Sequence, residues 1–331
     1  MIINFKLEFC MLKKIIAFLV IAVLTASLFS CSAPAPDNGS LSVVCTVFPC
    51  YDWAKQVIGD TSDIELTYLL SNGSDIHSFQ PTADDIIKIS DCDVFIYVGG
   101  ESDAWADKAL ENARNKDMTV VRLMDVLSEQ IVEEEHKEGM AEEHSHEEHE
   151  GNTEYDEHIW LSLSNAEKCV SEIWKAVRAV DEENSALYTN NAKQYIDEIK
   201  SLDSDFHALF DDRPQTLIFG DRFPFRYLTE DYGLDYYAAF TGCSAETEAS
   251  FETVTFLAEK ADELNVTTIF TIENSDCTIA DAVIANTKTR SQNIKVLDSI
   301  QSVNKKQIDE GATYLTIMKE NYEILKEVYD S

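Results

Sequence analysis

The chain has 331 residues, 45% of them hydrophobic and 10% aromatic, which excludes a disordered protein and is enough for one large core or two ordinary ones. Against 61 Asp and Glu stand 26 Lys and Arg, a formal net charge of -35. A surface of that sign excludes a nucleic-acid binder and offers no basic path for phosphates. It is compatible with attracting cations, and solubility accounts equally well for most of the carboxylates.

Lys13 and Lys14 precede the apolar run IIAFLVIAVLTASLFS, which ends at Cys31. A charged region, an apolar region and then small residues make the order of a signal peptide, and the run is short for a membrane span with stop-transfer flanks. Leu28-Phe29-Ser30-Cys31 resembles a bacterial lipobox, in which the cysteine becomes the lipidated first residue; Phe29 is bulkier than the usual residue there. Residues 1–31 are therefore expected to be a leader with Cys31 as lipid anchor, and 32–40, SAPAPDNGS, a tether. This places the globule outside the cytoplasm, anchored to the bacterial cell membrane. Export permits disulfides among Cys45, Cys50, Cys92, Cys169, Cys243 and Cys277, but spacing does not give their pairing. The absence of any CxxC pair argues against a cysteine-rich structural zinc site, and buried thiols are the ordinary reading for several of them.

From Ser42 apolar runs alternate with helical ones. SVVCTVF reads as a strand, YDWAKQVIGD as a helix closed by glycine, IELTYLL as a strand, PTADDIIKISDC as a helix opened by Pro81, and DVFIYVGG and TVVRL as strands. The segment 133–155 breaks the pattern. It has almost no apolar periodicity and, with His158 just beyond it, holds five of the seven histidines in the chain, so it reads as a mobile loop. Order resumes at HIWLSLSNAEKCVSEIWKAVRAV. Residues 183–212 contain neither Gly nor Pro and predict a helix of about 28 residues, about 42 Å long, which can bridge two lobes. A second α/β series then follows from TLIFGD to the final helix through TYLTIMKENYEILKEVY. The fold class is α/β, with lobes at 41–182 and 213–331, each a mostly parallel sheet flanked by helices.

Three short segments carry metal-binding chemistry. SNGSDIHSFQPTADD places His77 in the loop after a strand, YDEHIWLSLSNA places His158 just before a helix, and KVLDSI places Asp298 at the carboxyl end of a strand. Ligands of open α/β sheets collect outside the carboxyl ends of strands, and imidazole and carboxylate are good donors to zinc or manganese. Asp75 and Asp156, just before each histidine, either hold the imidazole's other nitrogen or close an Asx turn. His207, inside the long helix, reads as a surface or packing residue. Trp53, Trp105 and Trp174 read as core.

Taken together, GSDIHSFQPTADDI, DEHIWLSLSNA, FRYLTEDYGL and GCSAETEAS, in that order, resemble the spaced motifs of the extracytoplasmic zinc- or manganese-binding lipoproteins of metal ABC transporters. The resemblance covers essentially the whole chain after Cys31. It implies two α/β lobes joined by one long helix, a single metal ion between them, delivery of that ion to a membrane permease, and a monomer without enzymatic activity. Zinc is the implied cargo, with manganese the alternative; an adhesin on the same fold is a further role the resemblance allows. Ile76 and Glu157 stand where the family has proline before each histidine. The family's third ligand falls at Arg222, whose guanidinium cannot ligate, or with one residue of slip at Asp221. Asp221 is thus expected either as ligand or as helix N-cap, with Glu273 as a further candidate that either replaces the missing ligand or holds Arg222. The expected site is His77, His158, Asp221 and Asp298, a set of two nitrogens and two oxygens that suits zinc. His136, His144, His146 and His149 are expected to collect metal weakly in the acidic loop, against a solvated insert as the alternative. No HExxH and no GxSxG is present, which argues against a zinc hydrolase.

Overall fold

The computed structural model describes residues 40–60, 64–141, 154–211, 215–244 and 248–329. The expected leader, most of the tether, Cys31, His144, His146 and His149 lie outside the described residues. Among those described, no helix is long and apolar enough to cross a membrane.

Two four-stranded sheets, all parallel, organise the unit from Leu41 onward. The first runs in the order β2-β1-β3-β4, with β1 at Leu41–Cys45, β2 at Ile64–Tyr68, β3 at Val94–Tyr97 and β4 at Thr119–Arg122. The second repeats the order as β6-β5-β7-β8, with β5 at Thr216–Phe223, β6 at Asp235–Thr241, β7 at Thr268–Ile272 and β8 at Asn293–Leu297. The strands are short β-branched and aromatic runs; the inner strands β3 and β7 are buried along their length, whereas the edge strands β4 and β8 leave Val120 and Val296 exposed. In β5, Leu217 and Phe219 enter the large core, and Ile218, pointing the other way, enters a second cluster with Phe240, Leu257 and Val283.

Helix α1 (Phe48–Ile58) follows β1, with Pro49 in its first turn and Gly59 at φ 68° closing it. Helix α2 (Ala83–Asp91) starts at a capping box in which Thr82 and Asp85 exchange side-chain-to-backbone bonds. That box fixes the exit of the loop carrying His77. Helix α3 (Trp105–Glu111) precedes β4 and the short α4 (Leu123–Val126) follows it. Helix α5 (Leu163–Val180) is capped by Ser162, just after the 3-10 turn Ile159–Leu161, so its N-cap lies four residues beyond His158.

The long helix α6 spans Ser185–Phe210, 26 residues or about 39 Å, two residues shorter at each end than the expected stretch 183–212. It contacts both lobes. Tyr195 reaches Asp52 of α1 at 3.2 Å, and Asp203 accepts from Tyr232 of α7 (Arg226–Tyr232) at 2.9 Å. The C-terminal half of the chain then adds α8 (Phe251–Leu264), α9 (Thr278–Asn286), α10 (Lys305–Asp309) and α11 (Tyr314–Tyr329). Helix α11 also reaches across: Tyr314 N–H donates to Asp52 at 2.9 Å and its hydroxyl to the Trp160 carbonyl at 2.7 Å, whereas Tyr329 at its other end donates to the Thr216 carbonyl at 3.0 Å. Two helices, rather than the one expected from the sequence, therefore tie the lobes together. Trp53 is fully buried against Tyr314, while Trp105 and Trp174 are half-buried. His207 is exposed, as its place in the helix suggests. Among the described residues all six cysteines are free, and Cys45, Cys50, Cys92 and Cys169 are buried.

Candidate metal centre

His77 sits in the 3-10 turn Ile76–Ser78, beyond the carboxyl end of β2, and Asp75 begins the turn by accepting the His77 N–H at 3.0 Å. His158 follows a stretch held by main-chain bonds on both sides: Glu134 N–H to the Glu154 carbonyl at 2.9 Å, and Asp156 N–H to the Val132 carbonyl at 3.0 Å. The Tyr227 hydroxyl, from the FRYL segment of the second lobe, donates to the Asp156 carbonyl at 2.8 Å. These contacts bring the two imidazoles together with their Nε2 atoms 3.3 Å apart. For about 2.0–2.1 Å bonds to a tetrahedral zinc, two nitrogens stand about 3.4 Å apart, so the pair already has the spacing of two ligands on one ion.

The other ring nitrogens are engaged. His158 Nδ1 donates to Asp156 Oδ1 at 2.9 Å, and the same oxygen accepts the His158 N–H at 2.7 Å, so Asp156 fills both roles foreseen for it. His77 Nδ1 meets Ser102 Oγ at 2.8 Å, and Ser102 N–H donates to Glu157 Oε1 at 2.8 Å. A buried carboxylate thus stands behind each imidazole, directly or through a serine. This arrangement orients each ring so that its Nε2 meets that of the other imidazole. Burial, then His158 close by, lowers His77 to about 4, which keeps it neutral at pH 7. Burial works against a charged His158 too, but Asp156 beside it, with Glu134 and Glu157, leaves that imidazole above its ordinary range.

The second lobe contributes Cys243. It stands in the turn that follows β6, its N–H donating to Glu134 Oε1 at 3.0 Å. Its Sγ and one nitrogen of each histidine all lie within 4.8 Å of one another, the one such group among the described residues. Burial, then Glu134, pushes its thiol well above the ordinary range. Gly242 makes the approach possible: a Cβ there would fall 2.9 Å from the Phe223 carbonyl oxygen and 3.1 Å from His158 Cε1.

Arg222 lines a cavity together with His77, and its guanidinium is taken up by other partners. Its Nη2 donates to Asp75 Oδ2 at 2.9 Å and its Nη1 to the Ser244 carbonyl at 3.4 Å. The guanidinium therefore bridges the turn that carries His77 and the turn that carries Cys243. Burial disfavours a charged Asp75, but His77 and Arg222 outweigh it and hold the carboxyl below its usual value.

The three expected oxygen donors stand with other partners. Asp221 lies within β5, not at a helix N-cap, and its Oδ1 accepts the Arg222 N–H at 2.8 Å. Glu273 accepts Ser299 N–H and Oγ–H, both at 2.7 Å. Asp298 follows β8 and accepts the Ile300 N–H at 2.7 Å, in a turn where Ile300 has the rare φ of 66°. Burial, then Glu273, pushes the Asp298 carboxyl up to about 7. Asp221 and Glu273 line a cavity of about 540 Å³ together with His77 and Arg222, but among the described residues none of the three joins the closer group of His77, His158 and Cys243. His136 lines a cavity of about 720 Å³ that opens on His77 and Cys243, its other walls including Glu101, Glu133, Glu134 and Glu154. The sequence passed over Cys243 as one thiol among several. The signal that marks it is its place just past the carboxyl end of a predicted strand, where ligands of such sheets collect.

Two parallel α/β lobes, braced by long helices and meeting at a histidine pair beyond the strand ends, define a two-lobed binding-protein fold. Residues 43–328 match the family described as zinc-uptake complex component A, periplasmic, and the chain belongs to that family. It is 30% identical over 320 residues to the zinc-binding lipoprotein AdcA of Streptococcus pneumoniae, covering 96% of this chain but 61% of that protein. It is 29% identical over 313 residues to the high-affinity zinc uptake system protein ZnuA of Bacillus subtilis, covering 94% of each. Among solved structures, the Zn(II)-bound ZnuA-like domain of S. pneumoniae AdcA superimposes with a TM-score of 0.69 at 26% identity, over 88% of this chain and all of that one (100%). A mutant of the laminin-binding adhesin Lmb of Streptococcus agalactiae gives 0.71 at 26% identity, again over 88% of this chain and 100% of the other.

Proposed function

We propose that this protein is an extracytoplasmic zinc receptor, lipid-anchored through Cys31, that delivers its ion as a monomer to an ABC-type permease. The observation that carries the reading is the 3.3 Å separation of His77 Nε2 and His158 Nε2, with both Nδ1 atoms already engaged. Family membership and the zinc named in the relatives support it. The acidic cavity beside the pair, with His136 on its wall, suits a weak collecting role for His136, which His144, His146 and His149 of the same acidic segment would share. A receptor fits better than a hydrolase because the carboxylates around the histidines are engaged in positioning. Asp156 holds His158, Asp75 holds Arg222, and Glu157 holds Ser102.

Isothermal titration of the purified protein with zinc tests this. One tight equivalent is expected, lost in His77→Ala and in His158→Ala and kept when 137–153 is deleted. Tight binding retained in both point variants rejects the proposal.

A further inference from the structure

Among the described residues, the second-lobe side chain whose ligating atom groups with both imidazoles is a thiol. Cys243 Sγ lies within 4.8 Å of both imidazoles, whereas Asp221, Glu273 and Asp298 do not join them. A zinc ion with about 2.3 Å to sulfur and about 2.0–2.1 Å to nitrogen needs about 3.6 Å between those atoms. The sulfur therefore has to draw in by at most about 1.2 Å, within the reach of a rotation about one side-chain bond. The surroundings are built for this. Glu134 holds the Cys243 main chain, Gly242 lets that turn lie against His158, and Arg222 ties the neighbouring Ser244 to the turn that carries His77. Cys277, the other half-buried cysteine, hydrogen-bonds within its own turn to Ser275.

We propose that Cys243 is the third ligand of the bound ion, which makes the centre a site of two imidazole nitrogens and one thiolate sulfur, suited to zinc and softer divalent cations and discriminating against manganese. The inference rests on the zinc-receptor reading and deepens it. Sulfur favours borderline and soft ions, whereas manganese prefers oxygen donors. On binding, the Cys243 S–H bond breaks, a sulfur–metal bond replaces one metal-bound water, and the proton leaves to solvent; the fourth position is left to a carboxylate or a water. No oxidation state changes.

Cobalt(II) is the probe. The wild-type protein loaded with one equivalent is expected to show a thiolate-to-cobalt charge-transfer band in the near ultraviolet. The band is expected to vanish in Cys243→Ser and to persist in Cys277→Ser. Zinc affinity in Cys243→Ala should fall by more than the about 10–100-fold that loss of an outer hydrogen-bond partner costs, and the preference for zinc over manganese should narrow. Calorimetry in buffers of different ionisation enthalpy should show one proton fewer released per zinc in Cys243→Ser than in wild type. Circular dichroism of the variants checks that they fold; should Cys243→Ser fail to fold, the wild-type cobalt spectrum decides alone. Cobalt bound tightly with visible d–d bands but no thiolate band overturns the Cys243 assignment and leaves the receptor reading standing. No tight cobalt or zinc binding by wild type overturns the receptor reading itself.

Discussion

Replacing Arg222 by Met removes the guanidinium that spans the two ligand-bearing turns and keeps much of the side-chain stem. Asp75 Oδ2 then loses its 2.9 Å partner, while its Oδ1 still accepts the His77 N–H. A hydrogen bond to a charged group contributes about 1.5–3 kcal/mol. Both side chains of this pair are 21% exposed, so solvent screens part of that, and about 1–2 kcal/mol is the reasonable range. The pair holds the His77 and Cys243 turns in the geometry an ion needs, so its loss appears as a preorganisation cost. At about 1.4 kcal/mol per tenfold, zinc should bind about 5- to 30-fold more weakly. The assay is competition against a fluorescent zinc chelator for wild type, Arg222→Met, Asp75→Asn and the double variant. The two single effects should overlap, giving a coupling of about 1 kcal/mol, because either change breaks the same bridge. If Arg222→Met stays within twofold of wild type, or the two effects simply add, the bridge does not position the site.

Asp156→Asn deprives His158 Nδ1 of its carboxylate and should weaken zinc binding by about 10–100-fold with the fold intact, measured by the same competition. Gly242→Ala places a methyl group 2.9 Å from the Phe223 carbonyl oxygen; thermal denaturation should show a loss of about 1–3 kcal/mol, and zinc binding should weaken with it. Asp103, buried and accepting the Val98 and Gly99 N–H groups, has its carboxyl pushed up to about 7 by burial, against the pull of those N–H groups. Its folded value lies above its unfolded one, so between about pH 4 and 7 the folded state holds the extra proton and stability from this group falls as pH rises. Chemical denaturation across that range should show the decline in wild type and a flatter profile in Asp103→Asn, whose amide oxygen still accepts both N–H groups.

Much of the architecture was legible because it depends on local periodicity. Each of the apolar runs around Val43, Leu66, Phe95, Val121, Ile218, Ala239, Phe270 and Val296 became a strand of a parallel sheet, and the stretch without Gly or Pro became α6. The histidines were legible for a related reason. Asp75-Ile76-His77 and Asp156-Glu157-His158 each place an imidazole two residues after an aspartate, in a short turn beyond or before a regular element, and both aspartates do accept the His N–H. The oxygen donors are a different case: Glu273 is held by Ser299, 26 residues on, whereas Asp298 and Asp221 accept from Ile300 and Arg222 beside them, and Asp221 and Glu273 share a cavity wall with His77.

The order of residues by itself determined the acidic character, the two α/β series, the long helix and the two turns that present His77 and His158, because each follows from side-chain period, β-branching, capping and turn chemistry within a few positions. Only the tertiary structure decided that these histidines meet, that α11 as well as α6 spans the lobes, that Arg222 reaches Asp75, and that Cys243 joins the pair. Residues 77, 158 and 243 come together through the packing of two sheets around a shared core, and no local pattern records a contact between side chains so distant in sequence.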